Sequence, residues 1–194
     1  MNAPDTATAV RTMLVDDHAL LREGIRSLLD REAAISVVGE AGSYDAALAE
    51  VQRCRPDVVV VDLKLTAGTE YEGLRLITEI SGRHPGVATL VLTTFLDDDL
   101  VVRAVRAGAR GYVVKDVDTT ELVRAIQAVF GGGSAFDPRS AAIVLRSVSG
   151  DADSPEALTD REREVLRLLA DGLSNKRIGQ TLSLIHISEP TRPY

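Results

Sequence analysis

Four valines, Val58–Val61, run straight into a carboxylate, Asp62. The pattern recurs along the chain. Met13-Leu14-Val15 ends in Asp16-Asp17, Ala88-Thr89-Leu90-Val91-Leu92 ends in Thr93-Thr94, and Gly111-Tyr112-Val113-Val114 ends in Lys115. Each run reads as a short buried strand that delivers a polar group at its carboxyl end. In an open parallel sheet that edge is where ligands bind. Three carboxylates, a hydroxyl and a lysine can therefore converge there. Clustered carboxylates repel one another unless a divalent cation sits among them. The set suits metal-assisted chemistry rather than packing.

To bring these groups together the strands must be parallel and joined by helical crossovers. From about Thr12 to Gly131 strand-like and helix-like segments alternate. Thr12–Val15 is followed by a helix over Ala19–Arg31, with apolar Leu20, Leu21, Ile25, Leu28 and Leu29 at helical spacing. Ser36–Ala41 is the next strand, and Ser43 caps a helix through Ala46, Ala47, Leu48 and Val51. The Asp57–Asp62 strand leads through a loop to a helix near Gly73–Ser81. Ala88–Thr93 leads to a helix over Leu100–Ala107, opened by Asp97/Asp98, and Tyr112–Val114 leads to Glu121–Phe130, capped by Thr119 or Thr120. Five such units imply a doubly wound five-stranded parallel sheet with helices on both faces.

Composition narrows the function classes. The chain has 194 residues, 45% hydrophobic and 26% charged, which suits one domain and a smaller one. No apolar run approaches the roughly 20 residues that cross a bilayer, and the stretch from Asn2 to Ala9 is short and polar, unlike a secretory signal. A cytoplasmic protein is expected. The single cysteine, Cys54, excludes a disulfide framework and reads as a structural thiol. A net charge of -7 argues against unspecific polyanion binding by the whole chain.

After Gly131-Gly132-Gly133-Ser134 the sequence turns flexible, with a short helix expected over Asp137–Ser147 and a polar stretch over Ser149–Pro155. A second unit starts at Leu158. Thr159 and Glu162 form a capping box, the helix continues through Val165, Leu166, Leu168 and Leu169, and Asp171-Gly172-Leu173 makes the turn. Ser174 caps a second helix through Ile178 to about Leu182. A helix, a short glycine-containing turn and another helix open a helix-turn-helix.

On these residues, positions 11–131 resemble the receiver domain of two-component response regulators, of the flavodoxin-like fold. Asp16-Asp17, Asp62, Thr93 and Lys115 stand where that family keeps its acidic pair, phosphoacceptor, switch hydroxyl and lysine. The stretch LTDREREVLRLLADGLSNKRIGQTL resembles the opening of a LuxR-type DNA-binding domain, and the two together resemble the NarL/FixJ group. Asp116 follows Lys115 where other receivers have proline, as is common in that group. Two departures stand out. Thr66 occupies the position of a frequent proline, and the loop before Gly73 is about three residues longer, with Thr69-Glu70-Tyr71-Glu72 in it. The end departs further: residues 182–194, LSLIHISEPTRPY, resemble a translated sequencing adaptor, and Pro190 and Pro193 bar a regular third helix. The expected division is therefore a receiver at 11–131, a linker at 132–157, an incomplete all-α helix-turn-helix unit at 158–181 and a non-native tail at 182–194.

The resemblance implies that Asp62 is phosphorylated by a sensor histidine kinase and that the aspartyl phosphate controls DNA binding and transcription. Asp17, Asp62 and the backbone carbonyl of Lys64 would hold Mg²⁺, with Asp16 acting through water. Lys115 would pair with phosphoryl oxygens, Thr93 would bond one of them, and Tyr112 would swing inward as Thr93 moves. A homodimer of the phosphorylated form is implied. Plainer roles compete: Thr93 as an ordinary β-branched strand residue, Tyr112 as a half-buried aromatic, His18 as a solvated helix-entry residue, and Asp97-Asp98-Asp99 as favourable charges at a helix N-terminus. Lys176 and Arg177 are candidate contacts to DNA phosphates. Residues 151–194 carry 8 acidic and 6 basic side chains, a net of -2, which is weak for a nucleic-acid module. A receiver acting through protein contacts alone is the second reading. An Asp-nucleophile phosphatase of the haloacid dehalogenase type is the third; it wants an acid two residues after the nucleophile, where this chain has Lys64.

Overall fold

The computed structural model describes residues 9–65 and 71–149. The elements run β1 Val10–Val15, α1 Ala19–Leu29, β2 Ile35–Ala41, α2 Tyr44–Cys54, β3 Val58–Val61, α3 Glu72–Arg83, β4 Ala88–Thr93, α4 Asp98–Ala107, β5 Gly111–Val114, α5 Thr119–Phe130, β6 Ala135–Phe136 and α6 Pro138–Ser149. All strands are parallel, in the order β2-β1-β3-β4-β5-β6. The five expected strands are present. The sixth has only two residues, too few for any periodicity to mark it. It pairs Gly111 with Ala135 and Tyr112 with Phe136, so part of the expected linker joins the sheet. The expected helix-turn-helix unit, its tail, Lys176 and Arg177 lie outside the described residues, as does the loop Thr66–Glu70.

Burial on both faces explains the valine-rich strands. Met13, Val15, Val59, Val61, Val91 and Tyr112 face one core, shared with α2, α3, α4 and α6. Val10, Leu14, Val58, Val60, Leu90, Leu92 and Val113 face the other, shared with α1 and α5. The alternation follows the two-residue repeat of a strand. Helix starts follow from side-chain capping: Ser43 Oγ accepts the Ala46 N–H, and Asp97 accepts the N–H groups of Asp99 and Leu100. The cap of α5 is Asp118, which accepts from Glu121 N–H at 2.9 Å; the threonines expected to cap it are the first two helical residues instead. Gly108 ends α4 at φ 105°, where a Cβ would lie 2.3 Å from Ser81 Oγ, so only glycine fits.

Candidate functional site

Strand register assembles the site. Val15 pairs with Val61, so the next residues, Asp16 and Asp62, stand side by side at the sheet edge. Thr93 pairs with Val114, which puts Lys115 just beyond the hydroxyl. Backbone bonds continue the ladder past the strands: Asp16 N–H to Ala41 O at 3.1 Å, Asp62 N–H to Val15 O at 2.8 Å, and Lys115 N–H to Thr93 O at 2.8 Å. The strand order reverses around β1, and the crevice outside β1 and β3 is the expected ligand position for such a sheet.

The ammonium of Lys115 bridges two buried carboxylates, Asp62 Oδ2 at 2.5 Å and Asp16 Oδ2 at 2.6 Å. Asp16 and Asp62 are 3% and 5% exposed, so neither charge is well solvated and the pairing matters. Burial disfavours the charge on Lys115, but its hydrogen bonds to Asp16 and Asp62 and their negative charges outweigh that and raise its pKa. Asp16 Oδ1 also accepts the His18 N–H at 2.8 Å, and Asp62 Oδ1 accepts the Lys64 N–H at 3.4 Å.

Asp17 is placed differently. Its Oδ1 is buried and has no hydrogen bond, although His18 Nδ1 lies 2.8 Å away. Potential ligand atoms of Asp16, Asp17 and His18 fall within 4.8 Å of one another. An orphaned Asp17 carboxylate oxygen close to the Asp16 carboxylate offers hard oxygen donors of the kind that suit Mg²⁺. The His18 side chain is 72% exposed, in keeping with a helix-entry residue.

On the other side of the edge, Thr93 is fully buried and its Oγ1 accepts the Phe95 N–H at 3.4 Å. Tyr112 is fully buried too, not half-buried, and its hydroxyl donates to Phe95 O at 2.7 Å. Burial, and then the charges of Asp97, Asp137 and Asp62, hold its phenol pKa well above the ordinary value. The Lys64 ammonium lies over the Phe95 ring, 4.4 Å from its centroid. Asp97, Asp98 and Asp99 open α4.

Two contributors escape sequence reasoning. Gly73 presses the first turn of α3 against the segment after Asp62: a Cβ there would lie 2.3 Å from Asp62 O and 2.6 Å from Leu63 Cα. Arg22 braces the end of β1, donating from Nη1 to Asp16 O at 2.5 Å and from Nε to Glu40 Oε2 at 3.1 Å. The glycine is visible in the sequence but its close approach is not. The arginine reads as any exposed helical charge.

A buried acidic pocket with a lysine bridge, at the carboxyl edge of a parallel sheet in this order, defines a receiver-type protein. Comparison with known proteins agrees. Residues 12–127 match the response regulator receiver domain, and residues 156–191 match the bacterial regulatory proteins of the luxR family. The DNA-binding transcriptional activator DevR/DosR of Mycobacterium tuberculosis is 41% identical over 178 residues, covering 90% of this chain and 81% of that protein. Response regulator protein VraR of Staphylococcus aureus is 33% identical over 182 residues, covering 94% and 84%. The crystal structure of a LuxR-family two-component response regulator from Aurantimonas sp. SI85-9A1 superposes with a TM-score of 0.64 at 36% identity, over 70% of this chain and 94% of that one. The chain belongs to the two-component response regulators, with a receiver domain followed by a LuxR-type DNA-binding region that regulates transcription. No described helix is long and apolar enough to cross a membrane.

Proposed function

We propose that Asp62 is the phosphoacceptor of this regulator, and that its aspartyl phosphate controls the LuxR-type region. One observation carries the reading: the Lys115 ammonium bonded to both Asp62 and Asp16 at the carboxyl edge of the sheet. An Asp62 carboxylate oxygen attacks phosphorus, a new O–P bond forms, and the bond from phosphorus to the donor's leaving group breaks. Lys115, already within reach, pairs with the phosphoryl oxygens. Asp17, Asp62 and the carbonyl of Lys64, with Asp16 through water, would hold Mg²⁺, which supplies charge neutralisation in phosphoryl transfer. Thr93 donates its hydroxyl to a phosphoryl oxygen, giving up its contact with Phe95, and Tyr112 follows.

The phosphoryl donor is a sensor histidine kinase, and the site of action is the cytoplasm. The phosphorylated form dimerises through the receiver's last helix-strand surface or the helix beyond it, matching a two-fold axis to paired DNA half-sites. Lys176 and Arg177 contribute phosphate contacts on DNA. We read residues from about Leu182 as foreign to the DNA-reading unit even though the luxR-family match runs to residue 191, and an uninterrupted gene encoding those same residues past Thr181 would overturn that part. The chain is a regulator rather than an enzyme: Lys64 stands where an Asp-nucleophile phosphatase needs its acid. Incubation with acetyl phosphate and Mg²⁺ should add one phosphoryl mass to the chain and none to Asp62→Asn. Equal phosphorylation of that variant would refute the assignment.

A further inference from the structure

His18 follows the acidic pair directly, and neither capping nor packing accounts for its side chain. It stands at the N-cap of α1 without making a capping hydrogen bond, where serine, threonine, asparagine or aspartate would satisfy a backbone N–H. At 72% exposure no core contact holds it. What the imidazole does is face carboxylates. Its Nδ1 lies 2.8 Å from Asp17 Oδ1 and 3.5 Å from Asp16 Oδ1. Asp17 Oδ1 is buried and nonetheless makes no hydrogen bond. Two donor atoms this close that share no hydrogen bond suit a shared cation. An octahedral ion with bonds of about 2.0–2.1 Å sets adjacent ligands about 3 Å apart, which is the spacing seen. Ligand atoms of Asp16, Asp17 and His18 all fall within 4.8 Å of one another, compact enough for one ion. Lys115 takes Oδ2 of Asp16, so Oδ1 remains on offer beside His18. That same Oδ1 accepts the His18 N–H at 2.8 Å, which holds the backbone of His18 next to the pair.

We propose that His18 is a nitrogen ligand of the divalent cation at this site, and that it raises the preference of the site for later first-row ions such as Ni²⁺ over Mg²⁺. The proposal deepens the cation site read beside Asp62 and rests on that reading. Carboxylates, carbonyls and water suit Mg²⁺, whereas an imidazole nitrogen suits ions such as Ni²⁺. Mg²⁺ gives up its waters reluctantly, so it gains little from a nitrogen that must displace one. Ni²⁺ gains a stronger bond from the same exchange. The exposure of His18 fits the role, because an ion that enters from water must be met there.

Calorimetric titration of the unphosphorylated 194-residue chain with Ni²⁺ alone and with Mg²⁺ alone tests this, in the parent and in His18→Gln. Losing even a partner of a metal ligand typically costs ~10–100-fold in metal affinity. Losing the ligand itself should therefore weaken Ni²⁺ binding by at least the low end of that range, about tenfold, and Mg²⁺ binding much less. The Ni²⁺-loaded parent should also show a hyperfine-shifted imidazole N–H proton in its NMR spectrum that His18→Gln lacks. His84→Gln, changed at the end of α3, is the control and should keep both the affinity and the signal. Equal Ni²⁺ affinity in His18→Gln, or a retained imidazole signal, overturns the proposal. Equal losses of Ni²⁺ and Mg²⁺ affinity also overturn it, since they would mean that His18 only holds the acidic pair in place. Phosphoryl mass gained from acetyl phosphate and Mg²⁺ is read separately on the parent. Gain of that mass beside a retained signal in His18→Gln sinks the nitrogen ligand and leaves Asp62 standing. No gain of mass sinks the phosphoacceptor, while the Ni²⁺ data still decide on His18.

Discussion

Along the carboxyl edge of the sheet, the β1–β3 half and the β4–β5 half are built from different bonds. At β1 and β3 the backbone itself fixes the carboxylates: Asp16 and Asp62 both extend the ladder, and Gly73 lets α3 close against Leu63, donating its N–H to Leu63 O at 3.1 Å. At β4 and β5 Lys115 also joins the ladder, but what lies beyond hangs on side chains. Thr93, Tyr112, Asp137 and Ser140 contribute separate side-chain hydrogen bonds between 2.7 and 3.4 Å. Backbone ladders are cooperative and slow to rearrange, whereas a lone side-chain bond is worth about 0.5–1.5 kcal/mol net and can exchange partners. The half that must hold reacting atoms still is rigid. The half that must respond is exchangeable.

Replacing Gly73 with alanine strikes the rigid half and should have the largest effect. The new Cβ meets backbone atoms of Asp62 and Leu63, which cannot swing aside as a side chain can. Overpacking costs typically about 1–3 kcal/mol and occasionally more, and here the shift falls on the phosphoacceptor. Urea midpoints should drop accordingly, with phosphorylation by acetyl phosphate slowed. Gly24→Ala is the control: its Cβ meets nothing within 4 Å, so helix propensity should leave that variant no less stable. A Gly73→Ala protein as stable as Gly24→Ala would mean that the β3–α3 junction is as soft as the other half.

The alkaline limb of stability probes the exchangeable half. The Tyr112 phenol pKa is raised in the folded protein, by burial first and by neighbouring carboxylates second. Below the unfolded value of about 10 both states keep the proton, and the Tyr112 contribution is fully present. Above it the unfolded chain loses a proton that the folded chain retains, so stability falls by about 1.4 kcal/mol per pH unit until the folded group ionises. Tyr112→Phe removes that slope. It should cost about 0.5–1.5 kcal/mol at pH 7 for the lost bond to Phe95 O, and the gap should narrow as pH rises past about 10. Parallel stability curves for the two proteins would show that Tyr112 is not locked.

These elements also show what a sequence can disclose. β3 and β4 were legible because near-continuous valine and leucine means burial on both faces. Asp16, Asp62, Thr93 and Lys115 were legible because each is the first polar residue after such a run. The same continuity hides which face a residue takes, so nothing in Gly111-Tyr112-Val113-Val114 announced that Tyr112 points into the core. Asp118-Thr119-Thr120 offers three capping residues in a row, and only the backbone geometry picks the aspartate. β6 exists through pairing with β5 and through Asp137, contacts between residues more than 20 apart that no local pattern records. The spatial need for glycine at position 73 likewise appears only when α3 is seen against the backbone of Asp62.

Thr93→Val should have the smallest effect on stability and one of the clearest on response. The strand position suits a β-branched residue, and valine fills the same buried space apart from the hydroxyl. The bond that is lost, from Phe95 N–H, is long at 3.4 Å, and Phe95 is 38% exposed, so water can replace it. The cost should fall at or below about 1 kcal/mol, the low end for a hydrogen bond. Asp62, Asp16 and Lys115 keep their backbone supports, so acetyl phosphate should still load the protein to the same mass. The phosphoryl group then has no hydroxyl to draw from Phe95, and hydrogen exchange at Phe95 and Tyr112 should stay the same on loading. Chemistry without response is the signature of two halves joined by exchangeable side-chain bonds. If Thr93→Val instead destabilises as much as Gly73→Ala, or fails to be phosphorylated at all, the edge is a single rigid unit and the distinction drawn from its bonds is wrong.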